Sequence, residues 1–340
     1  MAPRRRGVRA LLVALGALLL ARCDRVPLTW AAVQLMRSLW PAPLPRRAAD
    51  AEAWCWRAWA DAAARAPVPA PPPHVREFSP AEFAALDRPP FDTPWVVRGM
   101  LNGSRLSWNA AWLSESPGRG DQMIDYFSDA RRALLVPDAR GALRDVLASI
   151  SAGGPQKIGS EMIFRAEPAA VDELAGHALT AKLGARYFSR AMLGTVLTMP
   201  VFAARGLPGE TTRTDLHCEP IANAVLQLEG SKAWTLLSPE HSGLVRPQVS
   251  PDGRAYFHAR LGHAAPELAA LPVQRVVTHP GDVIFVPTWT WHRVDYVASV
   301  MSVTVSLFHF RPVDFARNHP LYAALIVPNL VKEALGLKKQ

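Results

Sequence analysis

The chain has 340 residues, 49% of them hydrophobic and 20% charged, which is enough to bury a sizeable core and excludes wholesale disorder. Its net charge of +9 is lopsided: nine arginines and one acid, Asp24, give residues 1–48 a charge of +8, and the rest carries only +1. A nearly neutral body gives no strong nucleic-acid signal, because a phosphate-binding groove leaves a larger basic excess than this.

Arg4–Arg9 followed by the apolar run Ala10–Ala21 has the layout of a secretory signal. Twelve apolar residues fall short of the roughly 20 that a spanning helix needs. Residues 1–23 therefore read as a signal peptide or signal anchor, with membrane association through this segment; its abundance of arginine also suits an organellar transit peptide. Asn102-Gly103-Ser104 is a glycosylation sequon that matters only in the secretory pathway. Cys55 and Cys218 are too far apart in sequence to form a disulfide framework.

Residues 24–74 form a helical segment and linker: Ala48–Ala64 reads as an Ala- and Trp-rich helix that packs on the main domain or on a membrane surface, and Ala66–Pro73 is a stiff proline-rich spacer. Residues 75–194 make the N-terminal part of the catalytic region. Ser79-Pro80-Ala81-Glu82 is a capping box that starts a short helix, and Trp95–Arg98 is a strand ending at Gly99. Asp121–Ile150 is mixed, and Pro168–Leu183 and Ala185–Leu193 look helical. From residue 195 to 312 the texture changes to short β-rich runs separated by Gly and Pro: Thr195–Phe202, Thr214–Glu219, Ala222–Leu228, Ala233–Leu237, Arg275–Thr278, Val283–Val286, His292–Val297 and Met301–Phe310. Eight such strands predict a mainly β sandwich or barrel with flanking helices. Residues 313–340 return to a helical pattern, a C-terminal helix that offers a homodimer surface.

Chemistry concentrates in Thr214-Asp215-Leu216-His217-Cys218-Glu219-Pro220. On a strand, residues i and i+2 share a face, so His217 and Glu219 point together and Cys218 points away. His292, at the end of Pro280-Gly281-Asp282-Val283-Ile284-Phe285-Val286-Pro287-Thr288-Trp289-Thr290-Trp291-His292, is the candidate third ligand. Two histidines and a carboxylate on one octahedral face leave three positions open, the arrangement of non-haem Fe(II) oxygenases, in which a bidentate 2-oxo acid and O2 fill the remainder. Lys232 follows the hairpin turn Glu229-Gly230-Ser231, fifteen residues after His217, and on its own reads as an exposed hairpin lysine. His241 and His279 read as loop residues, His309 as a core histidine, Cys218 as a small buried side chain and Asp282 as a turn former.

His217-Cys218-Glu219, the run Asn223 to Trp234 and Ser238-Pro239 resemble the core of the small JmjC hydroxylases, of the asparaginyl hydroxylase type that acts on hypoxia-inducible factor. Pro280-Gly281-Asp282 with Pro287, Trp291 and His292 is similar to the second motif of that family, and Trp95–Gly99 to its entry strand. The resemblance implies a double-stranded β-helix (the jelly-roll of cupins) and a 2-oxoglutarate-dependent dioxygenase. It makes His217, Glu219 and His292 the Fe(II) ligands, and makes Lys232, helped by the Thr214 hydroxyl, the partner of the distal 2-oxoglutarate carboxylate. Asn223 is placed near the cosubstrate. A buried dicarboxylate needs a paired cation and accepts added hydroxyl donors, which gives these assignments independent sense. The implied reaction consumes O2 and 2-oxoglutarate, yields succinate and CO2, and hydroxylates a protein or peptide side chain or demethylates an N-methyl group.

The chain departs from the pattern at three places. Glu219 stands where small hydroxylases usually have Asp, as Glu does in histone-demethylase relatives. Ser306 replaces an Asn, within an alternating stripe of Ser302, Thr304 and Ser306, and Phe164 lies about where some relatives carry a tyrosine. Two other readings stay open: a cupin-like binding protein with a degenerate site, and a metal cupin isomerase or dioxygenase that makes no use of 2-oxoglutarate or of Lys232. A fluorescent fusion to Met1–Pro41 is expected to enter the secretory pathway, with any glycan on Asn102. Import into an organelle without glycosylation would identify a transit peptide instead.

Overall fold

The computed structural model describes residues 25–39, 43–65, 74–101, 109–115, 117–131, 137–162, 179, 182–183, 195–207, 212–250, 254–261, 267–268, 271–297 and 300–335. The targeting segment, the proline-rich spacer, Asn102, Phe164, the helix expected at Ala185–Leu193 and all but Leu179, Lys182 and Leu183 of that at Pro168–Leu183 lie outside them. Among the described residues no helix is long and apolar enough to cross a membrane.

In chain order the elements are α1 (Arg25–Leu39), α2 (Arg46–Arg65), β1 (Arg76–Phe78), α3 (Pro80–Ala85), β2 (Trp95–Val97), α4 (Ala110–Glu115), α5 (Pro117–Gly120), β3 (Met123–Tyr126), β4 (Ala139–Ala142), α6 (Leu143–Ser151), β5 (Ile158–Met162), β6 (Thr195–Thr198), β7 (Pro200–Arg205), β8 (Arg213–Cys218), β9 (Ala222–Glu229) and β10 (Ser231–Leu237). They continue with β11 (Pro247–Val249), β12 (Phe257–Ala259), β13 (Gln274–Thr278), β14 (Val283–Val286), β15 (Trp291–Val297), β16 (Met301–Phe310), α7 (Pro312–Asn318) and α8 (Pro320–Ala334).

Two sheets face each other. The larger has the order β1-β2-β14-β9-β16-β7-β5, with β6 also on β16; the smaller has the order β11-β12-β8-β15-β10-β13. The eight expected strands divide evenly between them, and this jelly-roll is the cupin-like double-stranded β-helix. The run Thr195–Phe202 is two strands rather than one, broken at Met199, and the C-terminal helix is two helices, broken at His319 before Pro320. The strands β1, β2, β5, β11 and β12 extend the sheets beyond the eight.

Both faces of both sheets are covered, which is why strands such as Val283–Val286 are apolar at every position. Outside the larger sheet, Ala224, Leu226, Phe285, Val303, Val305 and Leu307 pack on α3 and α6. Outside the smaller sheet, Leu216, Cys218, Leu237 and Trp291 lie under Trp30 of α1, Cys55 of α2 and Tyr322 and Ile326 of α8. Between the sheets sits a smaller plug of Val225, Trp234, Leu236, Ile284, Val286 and Val294. Full burial of each such side chain stabilises the fold by roughly 1.5–3 kcal/mol.

Local chemistry sets the joints. The capping box forms as expected, with Ser79 accepting from the Glu82 N–H and the Glu82 carboxylate accepting from the Ser79 N–H at 2.7 Å. Gly281 supplies the positive φ (94°) of the turn into β14. Beside it Asp282 accepts from the Gly99 and His279 N–H groups at 2.9 and 3.0 Å and from the Arg98 guanidinium at 2.7 Å, so it is a turn former that also ties β2 to β14. On the other side of the sandwich the buried Glu52 carboxylate accepts from Gln34, Arg37 and Gln248, fastening α1, α2 and β11 together.

His309 is fully buried on the outer face of β16; its Nε2 has no hydrogen-bond partner, and burial pushes its pKa down to about 4. His319, stacked on Tyr322 with ring centroids 3.6 Å apart, is lowered to about 4 for the same reason. The folded state thus binds fewer protons than the unfolded chain between pH ~6.5 and ~4, and stability falls as pH drops through that window. His309→Leu should flatten the slope of urea stability against pH there, removing a loss on the order of 3 kcal/mol by pH 4. An unchanged slope would show that His309 does not titrate on unfolding.

Candidate metal centre and anion pocket

The strands β8 and β15 run antiparallel with His217 directly opposite His292, and the two imidazole centroids are 4.2 Å apart. Glu219 follows one residue past the end of β8. Ligand atoms of His217, Glu219 and His292 all lie within 4.8 Å of one another, so the structure brings the three expected ligands together. In each histidine Nδ1 faces a carbonyl two residues back on its own chain, Asp215 O at 2.7 Å and Thr290 O at 3.0 Å. A donor at Nδ1 leaves the Nε2 lone pair as the ligand atom. Burial holds His217 well below the usual imidazole range, reinforced by neighbouring His292, and holds His292 down to about 4. Both rings are therefore neutral near pH 7, the protonation state a metal requires. Two neutral imidazoles and one carboxylate fit a divalent first-row ion with further positions to spare.

Lys232 is not an exposed hairpin lysine. Gly230, with φ 59°, makes the turn, and a Cβ there would come within 2.5 Å of the Met301 carbonyl. The lysine then runs inward, 3% exposed, and donates to the Thr304 hydroxyl at 2.6 Å. It lies 4.6 Å from the Tyr296 ring centroid and 5.8 Å from that of Phe202, and no carboxylate among the described residues pairs with it. Burial, then the charge of Lys157, pushes its pKa well below the usual lysine range. The stripe on β16 divides its labour. Ser302 accepts from Gln227, whose carbonyl oxygen accepts from Thr278, and Thr304 serves Lys232. Ser306 is left over: its buried hydroxyl has no partner, and neither does the buried Oδ1 of Asn223 on the adjoining β9. Thr214 sits opposite Val294, which in turn faces Trp234, one inward-facing row away from the Lys232–Tyr296 pair.

Two residues escaped the sequence reading. Tyr296 is buried directly across from Lys232, and desolvation raises its phenol pKa above the ordinary value. Alternation from His292 through Val294 to Tyr296 was the available signal. Lys157 has no comparable signal in the sequence. Ile158 packs in the outer core, so Lys157 turns the opposite way and donates to the Arg213 carbonyl at 2.8 Å. Burial lowers it to about 8, opposed by Asp215, and its charge depresses both His217 and Lys232.

Residues 206–315 match the family described as Cupin-like domain, a span that contains the triad, Lys232, Thr214, Asn223, Ser306 and Tyr296. HSPB1-associated protein 1 of Homo sapiens and of Bos taurus are each 34% identical over 91 residues, 25% of this chain and 18% of theirs. The Danio rerio homolog is 33% identical over 98 residues, 27% of this chain and 21% of its own. The chain thus spans about one-fifth of the length of these curated relatives.

His217→Ala and Glu219→Ala are expected to lower bound metal sharply while leaving circular dichroism and the urea midpoint nearly unchanged, because the carbonyls that orient the imidazoles cannot stand in for a missing ligand. Near-normal metal content in either variant, measured after dialysis in metal-controlled buffer, would dissolve the triad.

Proposed function

We propose that this chain is an iron(II)- and 2-oxoglutarate-dependent oxygenase of the small JmjC hydroxylase type, oxidising a protein or peptide side chain in the secretory pathway. The observation that carries the reading is Lys232: a buried amine with no carboxylate partner among the described residues, in the same inter-sheet space as the cluster of His217, Glu219 and His292. A buried cation is costly unless an anion joins it. A 2-oxo dicarboxylic acid carries such an anion, its distal carboxylate, at the end opposite its metal-chelating 2-oxo acid group.

His217, Glu219 and His292 would hold the metal, which when bound supplies the coupling of O2 reduction to oxidative decarboxylation of the 2-oxo acid. Lys232 would take the distal carboxylate and regain its full positive charge in doing so, with Tyr296 beside it as a phenol donor and Thr214 one row further along the strands. Ser306 and Asn223 each carry an unpartnered buried polar atom, and each would gain a hydrogen-bond partner from a polar ligand. The apolar plug of Val225, Trp234, Ile284 and Val294 lines the inter-sheet space beside His292 and Lys232. A metal cupin that ignores 2-oxoglutarate gives Lys232 no role. The degenerate binding-protein reading rests on Ser306, whose single hydroxyl replaces a two-donor amide.

Lys232→Ala leaves a buried carboxylate unpaired, a loss of about 3–5 kcal/mol, or roughly two to three and a half decades of affinity. Calorimetric titration of 2-oxoglutarate into the anaerobic Mn(II) form should show at least a hundredfold weakening, with metal affinity nearly unchanged. Lys232→Arg should recover part of the loss, because the planar guanidinium is larger and differently shaped. Equal affinities in all three proteins would remove the cosubstrate from this pocket.

A further inference from the structure

Between β14 and β15 the chain turns through Pro287, Thr288, Trp289 and Thr290, with the Thr290 N–H donating to the Pro287 carbonyl at 3.1 Å. Trp289 has a φ of 67°; among the described residues only Arg246 is another non-glycine with a positive value. A bulky residue in this conformation is strained, and such strain persists only where the surroundings over-determine it. Here they do. The indole is fully buried, its Nε1 donates to the Phe315 carbonyl of α7 at 2.9 Å, and its ring packs against Phe315, Tyr322 and Phe257 at centroid distances of 5.6, 5.7 and 6.0 Å. The Asn318 amide of α7 ties down the neighbouring Thr288 carbonyl at 3.3 Å.

The other side of the same residue meets the metal centre. The Trp289 N–H donates to the backbone carbonyl of Glu219 at 3.0 Å, while three residues later the chain delivers His292. Glu219 stands one residue past the end of β8, beyond the register that sets the two histidines opposite each other, and the Trp289 N–H reaches it there. A glycine would accept the φ and keep the N–H bond, but it would lose the tie to α7. Tryptophan at this position retains the strain and gains the anchor.

We propose that Trp289 is a positioning residue that fixes Glu219 relative to the two histidines, and that α7 sets the metal affinity of the site through it. This rests on the metal reading given above. Outer-shell partners of metal ligands typically alter affinity about 10- to 100-fold when removed. Trp289→Phe keeps an aromatic ring but removes the donor to Phe315, and Asn318→Ala removes the second tie from the same helix. Mn(II) affinity, read from the free-ion electron paramagnetic resonance signal, should fall about tenfold or more in Trp289→Phe and less in Asn318→Ala. The Co(II) ligand-field spectrum should shift in Trp289→Phe as the carboxylate reorients. Leu325→Ala, in the same apolar cluster but in neither tie, controls for packing: it should lower the melting midpoint and leave both metal readouts unmoved. If wild type binds Mn(II) and Trp289→Phe binds it equally well with the same Co(II) spectrum, Trp289 is packing alone and the inference falls. If wild type binds no Mn(II) either, the metal reading and this inference fall together.

Discussion

The register between β8 and β15 is the constraint on which the rest depends. It places His217 opposite His292, and a slip of one residue would send Leu216 into the site and His217 out under the helices. Several forces oppose that slip. Leu216, Cys218 and Trp291 are held on the outer face by side chains from both ends of the chain, and Val294 and Trp234 are held on the inner face by the plug. An irregularity between His292 and Val294 resets the pairing, so that Thr214 rather than Asp215 faces Val294. The helical cover therefore specifies the metal centre without touching it.

The inter-sheet space trades stability for binding. A sandwich built only for stability would fill this space with aliphatic side chains, as it does around Val225 and Ile284. Here the space instead contains a buried lysine, two histidines kept neutral by desolvation, and the unpartnered hydroxyl and amide oxygens of Ser306 and Asn223. Each costs about 1–3 kcal/mol or more while unsatisfied. Such costs collect where a ligand is expected to repay them. Under the proposed function the deep lysine and a cation held by the triad would pull in the same direction, because both would gain from a ligand that is anionic at each end.

Period-two alternation made the centre legible: it alone pairs His217 with Glu219, and the proline-glycine turn with its apolar run marks the strand before His292. The four-residue run Val283–Val286 was equally plain, since a strand covered on both faces has no polar position to disguise it. What stayed hidden was long-range or short. Lys157, just before edge strand β5 and 60 residues before His217, reaches the Arg213 carbonyl at the start of β8, a proximity no local pattern encodes. The strands β11 and β12, three residues each, carry too few positions to show a period. The helix α1 follows closely on the apolar run Ala10–Ala21, which hides its start in the sequence, and its place is fixed by Trp30, whose indole donates to the Pro247 carbonyl more than two hundred residues away.

That last bond belongs to a larger arrangement, in which α1 and α2 cover the same face of the smaller sheet as α8, with Trp30 5.6 Å from Tyr322 and Lys332 donating to the Ser38 carbonyl. In chain order α1 and α2 come before every strand of the smaller sheet, and α8 comes after them all. Trp30 and Cys55 therefore reach their places beside Leu216, Trp291 and Tyr322 only through contacts of long sequence separation. Such contacts carry a loop-closure cost before they repay it, which makes this cover a slow part of the fold to assemble.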